Sequence, residues 1–430
     1  MDYEALVIGG GIAGMEASLD LADMGYKVLL VEREPSIGGK MILLSKTFPT
    51  LDCASCICTP KMAATAHHPN ITLMTYTEVK EVTKNKDGSF RLRLLKKPRY
   101  IDEPACTGCQ QCEVACPIMV PDEFNFGLGV RKAAYIPFTT AVPKKAVIDL
   151  DNCILCGACE RVCPAECIDF TQTPQEIECT VGSVILSVGF KLFSPEQKGE
   201  YGYGKYKNVI TAAQMERLLA PTRPYNTVLR PSDGRMPENI AFVLCTGSRD
   251  HTVGNPMCSR VCCMYSLKHV QLLMGILPLA DFAIYYMDIR AFGKGYEEFY
   301  EQTKAMGASL IKGRVAKIEE KENGNLILHY EDIDNGGVKR QAEHDLVVLS
   351  VGLLANNEIT GVFKGGGLSL DDFQFLEETD EDLNPSRTNI DGVFVAGTGS
   401  GPMDIPDSIL HAGAAAAQAA AYVEKARAGR

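Results

Sequence analysis

The feature that most constrains this chain is a pair of matching cysteine runs. The first is Cys106-x2-Cys109-x2-Cys112-x3-Cys116-Pro117, and the second is Cys153-x2-Cys156-x2-Cys159-x3-Cys163-Pro164. In each run a tight loop can point three thiolates at one cubane cluster, while the fourth cysteine reaches the other cluster. We therefore predict one [4Fe-4S] cluster on Cys106, Cys109, Cys112 and Cys163, and a second on Cys153, Cys156, Cys159 and Cys116. Zinc is the alternative, but paired runs of this kind do not have zinc spacings.

The number and spacing of the cysteines also indicate the kind of cellular compartment in which such a chain functions. There are 17 cysteines in 430 residues, and no export signal precedes the first strand, so the spacings predict metal or redox sites. The net charge of −11 argues against nucleic acid or an anionic membrane surface as a partner. The most apolar stretch, residues 267–284, contains charged residues and predicts a buried helix followed by a strand. We expect a soluble, cytoplasmic protein of an anaerobic or strongly reducing cell.

The N-terminus has the pattern of a dinucleotide-binding unit. A short apolar strand leads into Gly9, Gly11 and Gly14 in GxGxxG spacing, then a helix, then a second strand that ends at Glu32. The glycines allow a tight turn and a close approach of the backbone to a pyrophosphate, which sits on the helix N-terminus. Glu32 is placed to accept hydrogen bonds from the ribose hydroxyls of the adenosine. A glycine turn without a nucleotide is the weaker alternative.

Two further segments indicate that the nucleotide is FAD. Glu32 leads into Gly38 and Gly39, an acid-to-GG pattern that resembles flavoproteins of the thioredoxin reductase type. Near the C-terminus, residues 389–398 resemble the strand that closes over the flavin in those proteins, and they end in Gly397 and Thr398. An acid is usual where Thr398 stands. An alanine-rich helix follows, and its positive end could favour a reduced, anionic flavin.

These patterns predict an α/β fold with two Rossmann-like nucleotide-binding domains of the thioredoxin reductase type. The FAD domain is expected to be discontinuous, at residues 1–96, 174–225 and 354–430. An α+β domain with two [4Fe-4S] clusters is expected as an insertion at residues 97–173. The second Rossmann-like domain is expected at residues 226–353.

The second domain departs from its expected nucleotide site. After the strand at residues 239–244, Cys245 stands at the first glycine position, and Cys258, Cys262 and Cys263 follow. Four thiolates around a loop and a helix start suit a [4Fe-4S] cluster in place of NAD(P)H. One redox disulfide with buried thiols fits the spacing equally well.

The chain resembles the flavoprotein (A) component of heterodisulfide reductase. The matching stretches, besides the paired runs, are residues 48–56 (FPTLDCASC), 245–250 (CTGSRD), 255–265 (NPMCSRVCCMY) and 286–300 (YMDIRAFGKGYEEFY). The resemblance implies that Cys245, Cys258, Cys262 and Cys263 ligate a further cluster, and it makes Lys268 a candidate neighbour of the flavin N5. A surface lysine is the alternative for Lys268. Full-length members carry extra N-terminal and C-terminal segments, so we expect a short form here.

The remaining cysteines are less determined. Cys53, Cys56 and Cys58 cannot complete a cubane alone, so a partner chain would have to supply a fourth ligand. We favour a cluster on Cys53 and Cys56, and a redox-active CxxC pair beside the flavin is the rival interpretation. Cys167 and Cys179 are expected to be buried structural thiols.

The resemblance implies an electron-transferring flavin and iron–sulfur subunit, a role in which the flavin of the family is proposed to bifurcate electrons. Its partners would be other subunits of a heterodisulfide-reductase-like complex, and we expect a homo-oligomer or hetero-oligomer. One alternative is the related flavoprotein of a quinone-linked oxidoreductase of sulfate reduction, attached to a membrane through a partner. A stand-alone NAD(P)H or thiol/disulfide flavoenzyme, and a non-catalytic cluster carrier, are weaker alternatives.

Overall fold

The structure is a computed structural model that describes residues 1–428, within which the chain forms 21 strands and eight α-helices. The strands are β1 (Tyr3–Ile8), β2 (Val28–Val31), β3 (Ile71–Met74), β4 (Thr77–Lys84), β5 (Phe90–Lys96), β6 (Met119–Pro121), β7 (Val130–Lys132), β8 (Ala134–Tyr135), β9 (Val147–Ile148), β10 (Gln175–Leu186), β11 (Phe190–Leu192), β12 (Val209–Thr211), β13 (Asn239–Thr246), β14 (Asp281–Tyr286), β15 (Ser309–Glu320), β16 (Leu326–Asp332), β17 (Val338–His344), β18 (Leu346–Val351), β19 (Leu353–Ala355), β20 (Phe363–Lys364) and β21 (Val393–Val395). The helices are α1 (Ile12–Asp23), α2 (Ala54–His67), α3 (Gln111–Ala115), α4 (Ala158–Arg161), α5 (Ala212–Leu219), α6 (Cys262–Ile276), α7 (Tyr296–Ala305) and α8 (Ile405–Ala428).

The chain divides into two compact units. One unit contains residues 1–42, 56–190 and 355–430, and the other contains residues 43–55 and 191–354. The first unit therefore includes the predicted cluster insertion and most of the predicted FAD domain, whereas residues 43–55, 191–225 and 354 of that predicted domain belong to the second unit.

The main sheet of the first unit has the strand order β20-β4-β5-β10-β1-β2-β3, and β21 pairs with β10. Strands β10, β1, β2 and β3 run parallel to one another, as expected for a Rossmann unit. The apolar run of β1 is buried on both faces because one face packs against helices α1 and α8 and the other against the β4–β5 layer. This arrangement brings the end of β1 and the start of α1 to the carboxyl edge of the sheet, where nucleotides bind.

The cluster region is inserted between two adjacent strands of this sheet. Strand β5 is antiparallel to β10, and Lys96 pairs directly with Gln175. The chain therefore leaves the sheet after Lys96 and returns to it at Gln175, and the predicted insertion at residues 97–173 lies between these two residues. Inside the insertion, two small hairpin pairs, β6–β7 and β8–β9, and the short helices α3 and α4 surround a core in which Ile101 and Ile148 pack with five of the cysteines.

The second unit contains a seven-stranded sheet in the order β12-β18-β13-β14-β15-β16-β17. Strands β12, β18, β13, β14 and β15 run parallel, and β15, β16 and β17 form an antiparallel extension. The predicted helix and strand over residues 267–284 are present as α6 and β14. Strand β12 pairs with β18, so the sheet of this unit begins before residue 226, and the domain bounds of 226–353 stay a prediction.

Together the two sheets confirm the predicted α/β class. Among residues 1–428, no helix combines the length and apolar character that a membrane crossing would require.

Candidate cofactor sites

The glycine-rich loop between β1 and α1 can only be built from glycine. Gly9 has a φ of +107°, and a Cβ on Gly14 would lie 1.9 Å from the carbonyl oxygen of Gly9 and 2.5 Å from Oγ of Ser187. Helix α1 begins directly after the loop, with Gly11 at its N-cap position. The glycines therefore let the start of α1 pack closely on the strand before it, and the first backbone N–H groups of α1 are donors of the kind that bind a pyrophosphate.

Glu32 lies at the end of β2 with its carboxylate over this loop. Its Oε2 accepts the backbone N–H of Gly10 at 2.6 Å, and its Oε1 accepts that of Glu34 at 2.8 Å. Burial raises the pKa of the Glu32 carboxyl, while these two hydrogen bonds oppose the shift. Each oxygen still has a lone pair free for a ribose hydroxyl.

The acid-to-GG segment lies against the same loop. The N–H of Gly38 donates to the carbonyl of Gly10 at 2.8 Å, and a Cβ on Gly39 would lie 2.7 Å from Cα of Gly11. The two glycine segments thus touch backbone to backbone, so a side chain at Gly39 would push them apart.

The C-terminal motif completes this cradle from the opposite side. Gly397 has a φ of +63°, and a Cβ there would lie 2.7 Å from Cβ of Ala13 on α1. Thr398, which follows, is half-buried. The structure therefore brings the glycine loop, Gly38–Gly39 and Gly397–Thr398 together, and this geometry fits the FAD site predicted from the sequence.

A histidine and a glutamate that the sequence did not single out hold this motif in place. Nδ1 of His411 accepts the N–H of Gly397 at 3.0 Å, and Nε2 of His411 lies 3.2 Å from Oε2 of Glu378. Burial opposes ionisation of Glu378, but the contact with His411 outweighs it and lowers the pKa of that carboxyl. A lone histidine within the alanine-rich helix α8 was the available signal.

The insertion contains two cavities, and each is lined by four of the cysteines that the spacing groups together. The first is lined by Cys106, Cys109, Cys112 and Cys163, and the second by Cys153, Cys156, Cys159 and Cys116. Among the described residues, no three His, Cys, Asp or Glu side chains converge on a single ion. Four thiols around a cavity are the donor set of a cubane cluster, so these residues fit [4Fe-4S] clusters.

Burial affects the thiols of these sets. It raises the pKa of Cys112 to about 11, and it also raises that of Cys159. Partial burial opposes ionisation of Cys163, yet hydrogen bonds from Cys167 lower its pKa. Cys167 is buried as expected, whereas Cys179 is only half-buried, on β10.

The second unit brings the other four cysteines together at the end of β13 and the start of α6. Cys245 has a φ of +56°, which is the left-handed region where a glycine would be unstrained. Burial raises the pKa of Cys262 far above its usual value and that of Cys263 to about 12, and charge on Cys245 and Cys258 raises both further. These mutual effects make the four cysteines neighbours, although among the described residues no three of them stand in a metal-ligand arrangement.

Nearby groups fix the orientation of this cysteine group. Sγ of Cys263 lies 3.7 Å from the carbonyl oxygen of Asp288, whose side chain pairs with Arg249. The N–H of Arg260 donates to Sγ of Cys258 at 3.4 Å. A backbone N–H aimed at a cysteine sulfur stabilises the thiolate form that a cluster requires.

Cys53 and Cys56 form a disulfide, and Cys58 is a free, buried thiol. Burial raises the pKa of Cys58 to about 12, and its Sγ lies 3.9 Å from the carbonyl oxygen of Gly38. A disulfide presents no thiolate, so a cluster on Cys53 and Cys56 needs that bond to be reduced first. The rival interpretation, a redox-active CxxC pair, corresponds to the bonded form seen here.

Lys268 lies on α6 with only 1% of its side chain exposed, so the alternative of a surface lysine is wrong. Its ammonium pairs with the buried carboxylate of Glu216 and donates to the carbonyl of Lys46 at 2.9 Å. Oε2 of Glu216 also accepts from Ser45. Burial would raise the pKa of Glu216, but Lys268 and His269 outweigh it and hold that pKa well below its usual range. The role of Lys268 beside the flavin stays a prediction.

Two family models match the chain. One, described as FAD dependent oxidoreductase, matches residues 4–49, and the other, described as 4Fe-4S dicluster domain, matches residues 105–168. The matched segments contain the glycine loop with Glu32 and both cysteine runs. They support the assignment of FAD and [4Fe-4S] clusters made from the geometry.

Curated relatives match almost the whole chain. It is 49% identical over 419 residues to the iron-sulfur A component of the CoB–CoM heterodisulfide reductase of Methanocaldococcus jannaschii, a match that covers 97% of this chain and 64% of that protein. It is 48% identical over 422 residues to the A component of the H(2):CoB-CoM heterodisulfide,ferredoxin reductase of Methanothermobacter marburgensis, with 98% and 64% covered. The chain thus spans slightly less than two thirds of the length of these relatives.

Solved structures show the same fold at low identity. The thioredoxin reductase of T. acidophilum has a TM-score of 0.54 at 13% identity, with 99% of both chains covered. That of Lactococcus lactis, in the FR conformation, has a TM-score of 0.54 at 14% identity, with 99% of this chain and 100% of that chain covered. These likenesses confirm the predicted thioredoxin-reductase-type fold and nothing more. Taken with the cofactor sites, the comparisons show that this chain is similar, over nearly its whole length, to slightly less than two thirds of the A components of heterodisulfide reductase, and that it has the sequence and geometry of FAD and [4Fe-4S] sites.

Proposed function

We propose that this chain is the electron-transferring flavin and iron–sulfur subunit of a heterodisulfide-reductase-like complex. The observation that carries the proposal is that one compact unit contains both the FAD cradle and the two four-cysteine cavities. FAD exchanges electrons in pairs, whereas each cluster takes one, so a unit with both kinds of group converts between paired and single electrons. The chain's own residues position these groups, with one exposed cysteine, Cys109 or Cys156, in each four-cysteine set.

The same proposal includes a third cluster on Cys245, Cys258, Cys262 and Cys263, and partner subunits that carry the terminal substrate site. The nearness of these four thiols and the cysteine at the first glycine position favour a cluster over NAD(P)H in the second unit. The relatives are named as subunits of assemblies that act on the CoB–CoM heterodisulfide. We place this chain in a comparable assembly in the cytoplasm, with electron bifurcation at the flavin as its most specific form.

The test begins with iron, sulfide and FAD analysis of the anaerobically purified chain. Three clusters correspond to about 12 irons beside one FAD, and the Cys258→Ala variant should fall towards about 8 irons. Cys179→Ala, which removes a half-buried thiol on β10, is the matched control and should keep about 12 irons. If the wild type and Cys258→Ala both hold about 8, the third cluster does not exist.

Electron uptake tests the function itself. An anaerobic titration with dithionite should consume about five electrons per chain for the cofactors, two for FAD and one for each of three clusters, and two more wherever the Cys53–Cys56 disulfide is reduced as well. NADPH, used as a probe in place of dithionite, should leave the flavin oxidised. Rapid bleaching of the flavin by NADPH would contradict the proposal and favour a stand-alone NAD(P)H enzyme.

A thiol/disulfide flavoenzyme is the second candidate, and the Cys53–Cys56 disulfide is the observation that favours it. In such an enzyme a two-electron exchange between FAD and the disulfide would free two thiols. Thiol counting after dithionite reduction distinguishes the two. A gain of two thiols on a chain with about 8 irons would favour this second candidate over the heterodisulfide-reductase-like role.

A further inference from the structure

The first cluster cavity is lined by a fifth cysteine that belongs to neither run. Cys167 lies four residues after Cys163, is 5% exposed, and lines the same cavity as Cys106, Cys109, Cys112 and Cys163. The spacing argument assigns it no role, because four ligands already complete a cubane. Its position next to a ligand therefore needs another explanation.

The contact between Cys167 and Cys163 is direct. The two sulfur atoms lie 3.4 Å apart, and the backbone N–H of Cys167 points at Sγ of Cys163 at 3.5 Å. A cysteine that ligates iron is a thiolate and has no proton to give. When Cys163 binds the cluster, only Cys167 can donate, so the contact becomes an S–H···S hydrogen bond to a ligand sulfur.

The second cavity has no such donor in its lining. The residue four positions after Cys116 is Val120, and the lining beyond the four ligands consists of apolar residues such as Ile118, Ile154 and Phe170, with Pro117, Ala134, Ile148, Gly157 and Ala158. The two cysteine runs have the same spacing, yet the first cavity is lined by an additional thiol, Cys167, and by the polar residues Thr107 and Gln110, and of these three Cys167 is the one that contacts a ligand sulfur. This asymmetry is independent of the proposed role in a larger complex.

We propose that Cys167 is a positioning residue that donates a hydrogen bond to the Cys163 sulfur and so raises the reduction potential of the first cluster above that of the second. Reduction adds one negative charge to the cluster and its sulfurs. A donor aimed at a ligand sulfur stabilises this added charge, and hydrogen bonds of this kind are among the groups by which proteins set cluster potentials.

The experiment is an EPR-monitored redox titration of the anaerobically purified full chain, with iron analysis of every sample. In Cys167→Ala, one of the one-electron steps should move to lower potential while the others stay in place. The shift should correspond to at most about a tenfold change in the ratio of reduced to oxidised cluster, which is about 59 mV for one electron. Cys167→Ser keeps a donor and should restore the potential at least in part, and Cys179→Ala should leave every step unchanged.

Two results would overturn the inference. Loss of about four irons in Cys167→Ala would make Cys167 a ligand instead of a donor. Full iron content with an unshifted step in both Cys167→Ala and Cys167→Ser would mean that the thiol only fills space.

Discussion

The backbone N–H of Gly10 is held by the carboxylate of Glu32 at 2.6 Å, so the acid at the end of β2 fixes the glycine loop as well as offering oxygen to a nucleotide. Glu32→Gln replaces one acceptor oxygen by an NH2 group that faces a backbone N–H. The lost hydrogen bonds to a charged group correspond to about 1.5–3 kcal/mol, or roughly ten- to a hundredfold weaker FAD binding. The ratio of FAD to protein after purification, and titration of the apoprotein with FAD, measure this loss.

Glu34→Gln is the matched control for that change. The Glu34 side chain is largely exposed beside Arg33. Only the backbone N–H of Glu34 contacts the site, by donating to the Glu32 carboxylate. Its FAD content should equal that of the wild type. Equal loss in both variants would show that general charge, and not the Glu32 contact, governs FAD binding.

Gly14→Ala should abolish FAD retention. The new Cβ would lie 1.9 Å from a backbone oxygen, and backbone cannot move aside as a flexible side chain can, so the turn between β1 and α1 must open. Flavin absorbance of the purified variant gives the answer. Gly413→Ala on α8 is the control. Its new Cβ would lie 3.5 Å from Oδ2 of Asp20, which is an ordinary contact, so this variant should keep its flavin. A flavin-loaded Gly14→Ala would contradict the proposed pyrophosphate site.

Glu216→Gln should be among the most destabilising single changes in the second unit. It leaves the Lys268 ammonium buried without its counter-charge, which costs about 3–5 kcal/mol. For a unit of this size, that corresponds to a fall of roughly 6–20 °C in the unfolding midpoint measured by calorimetry. The double variant Glu216→Gln/Lys268→Met removes both charges and should recover much of the loss. Additive effects of the two single changes would contradict the pairing.

Acid should weaken the second unit through His344. Burial lowers the pKa of this histidine to about 4, whereas an unfolded chain binds the same proton near pH 6.5. The unfolded state therefore holds more protons between these values, and stability falls as the pH drops from about 6.5 towards about 4. His344→Gln, whose amide can still contact Tyr285 and Asn239, removes this contribution.

Unfolding midpoints at pH 7.5 and 5.5 measure that difference. The wild type should lose more stability over this interval than His344→Gln. The exposed His67, changed to Gln in a parallel sample, should leave the wild-type pH dependence intact. Parallel slopes for wild type and His344→Gln would contradict the assignment.

Features that depend on neighbours in sequence were predictable. The cysteine runs and the glycine loop with Glu32 are local patterns in which spacing alone places the side chains. The replacement of a glycine by Cys245 was visible in the same way. These local patterns could not predict which side chains or strands pair with each other when many positions separate them in the chain.

Glu216 and His411 illustrate that limit. Glu216 is separated from Lys268 by 52 positions, and nothing in an eight-residue helix indicates that its carboxylate is buried against a lysine of another helix. Likewise the partnership of His411 with Glu378 depends on how α8 crosses the sheet edge. The three-residue strand β12 is a similar case, since its place in the second sheet follows only from its pairing with β18, which lies much later in the chain.

The direct pairing of Lys96 with Gln175 means that the cluster-bearing segment is anchored at both ends by one hydrogen-bonded ladder. A carrier domain on a single linker must find its docking position before each electron can be transferred. The rate of electron transfer then depends on the rate of docking. Here both anchors are strands of the sheet that also carries the glycine loop. In the proposed electron-transfer role, the separation between the FAD cradle and the cysteine sets would therefore be set by the fold of this unit and not by the length of a linker.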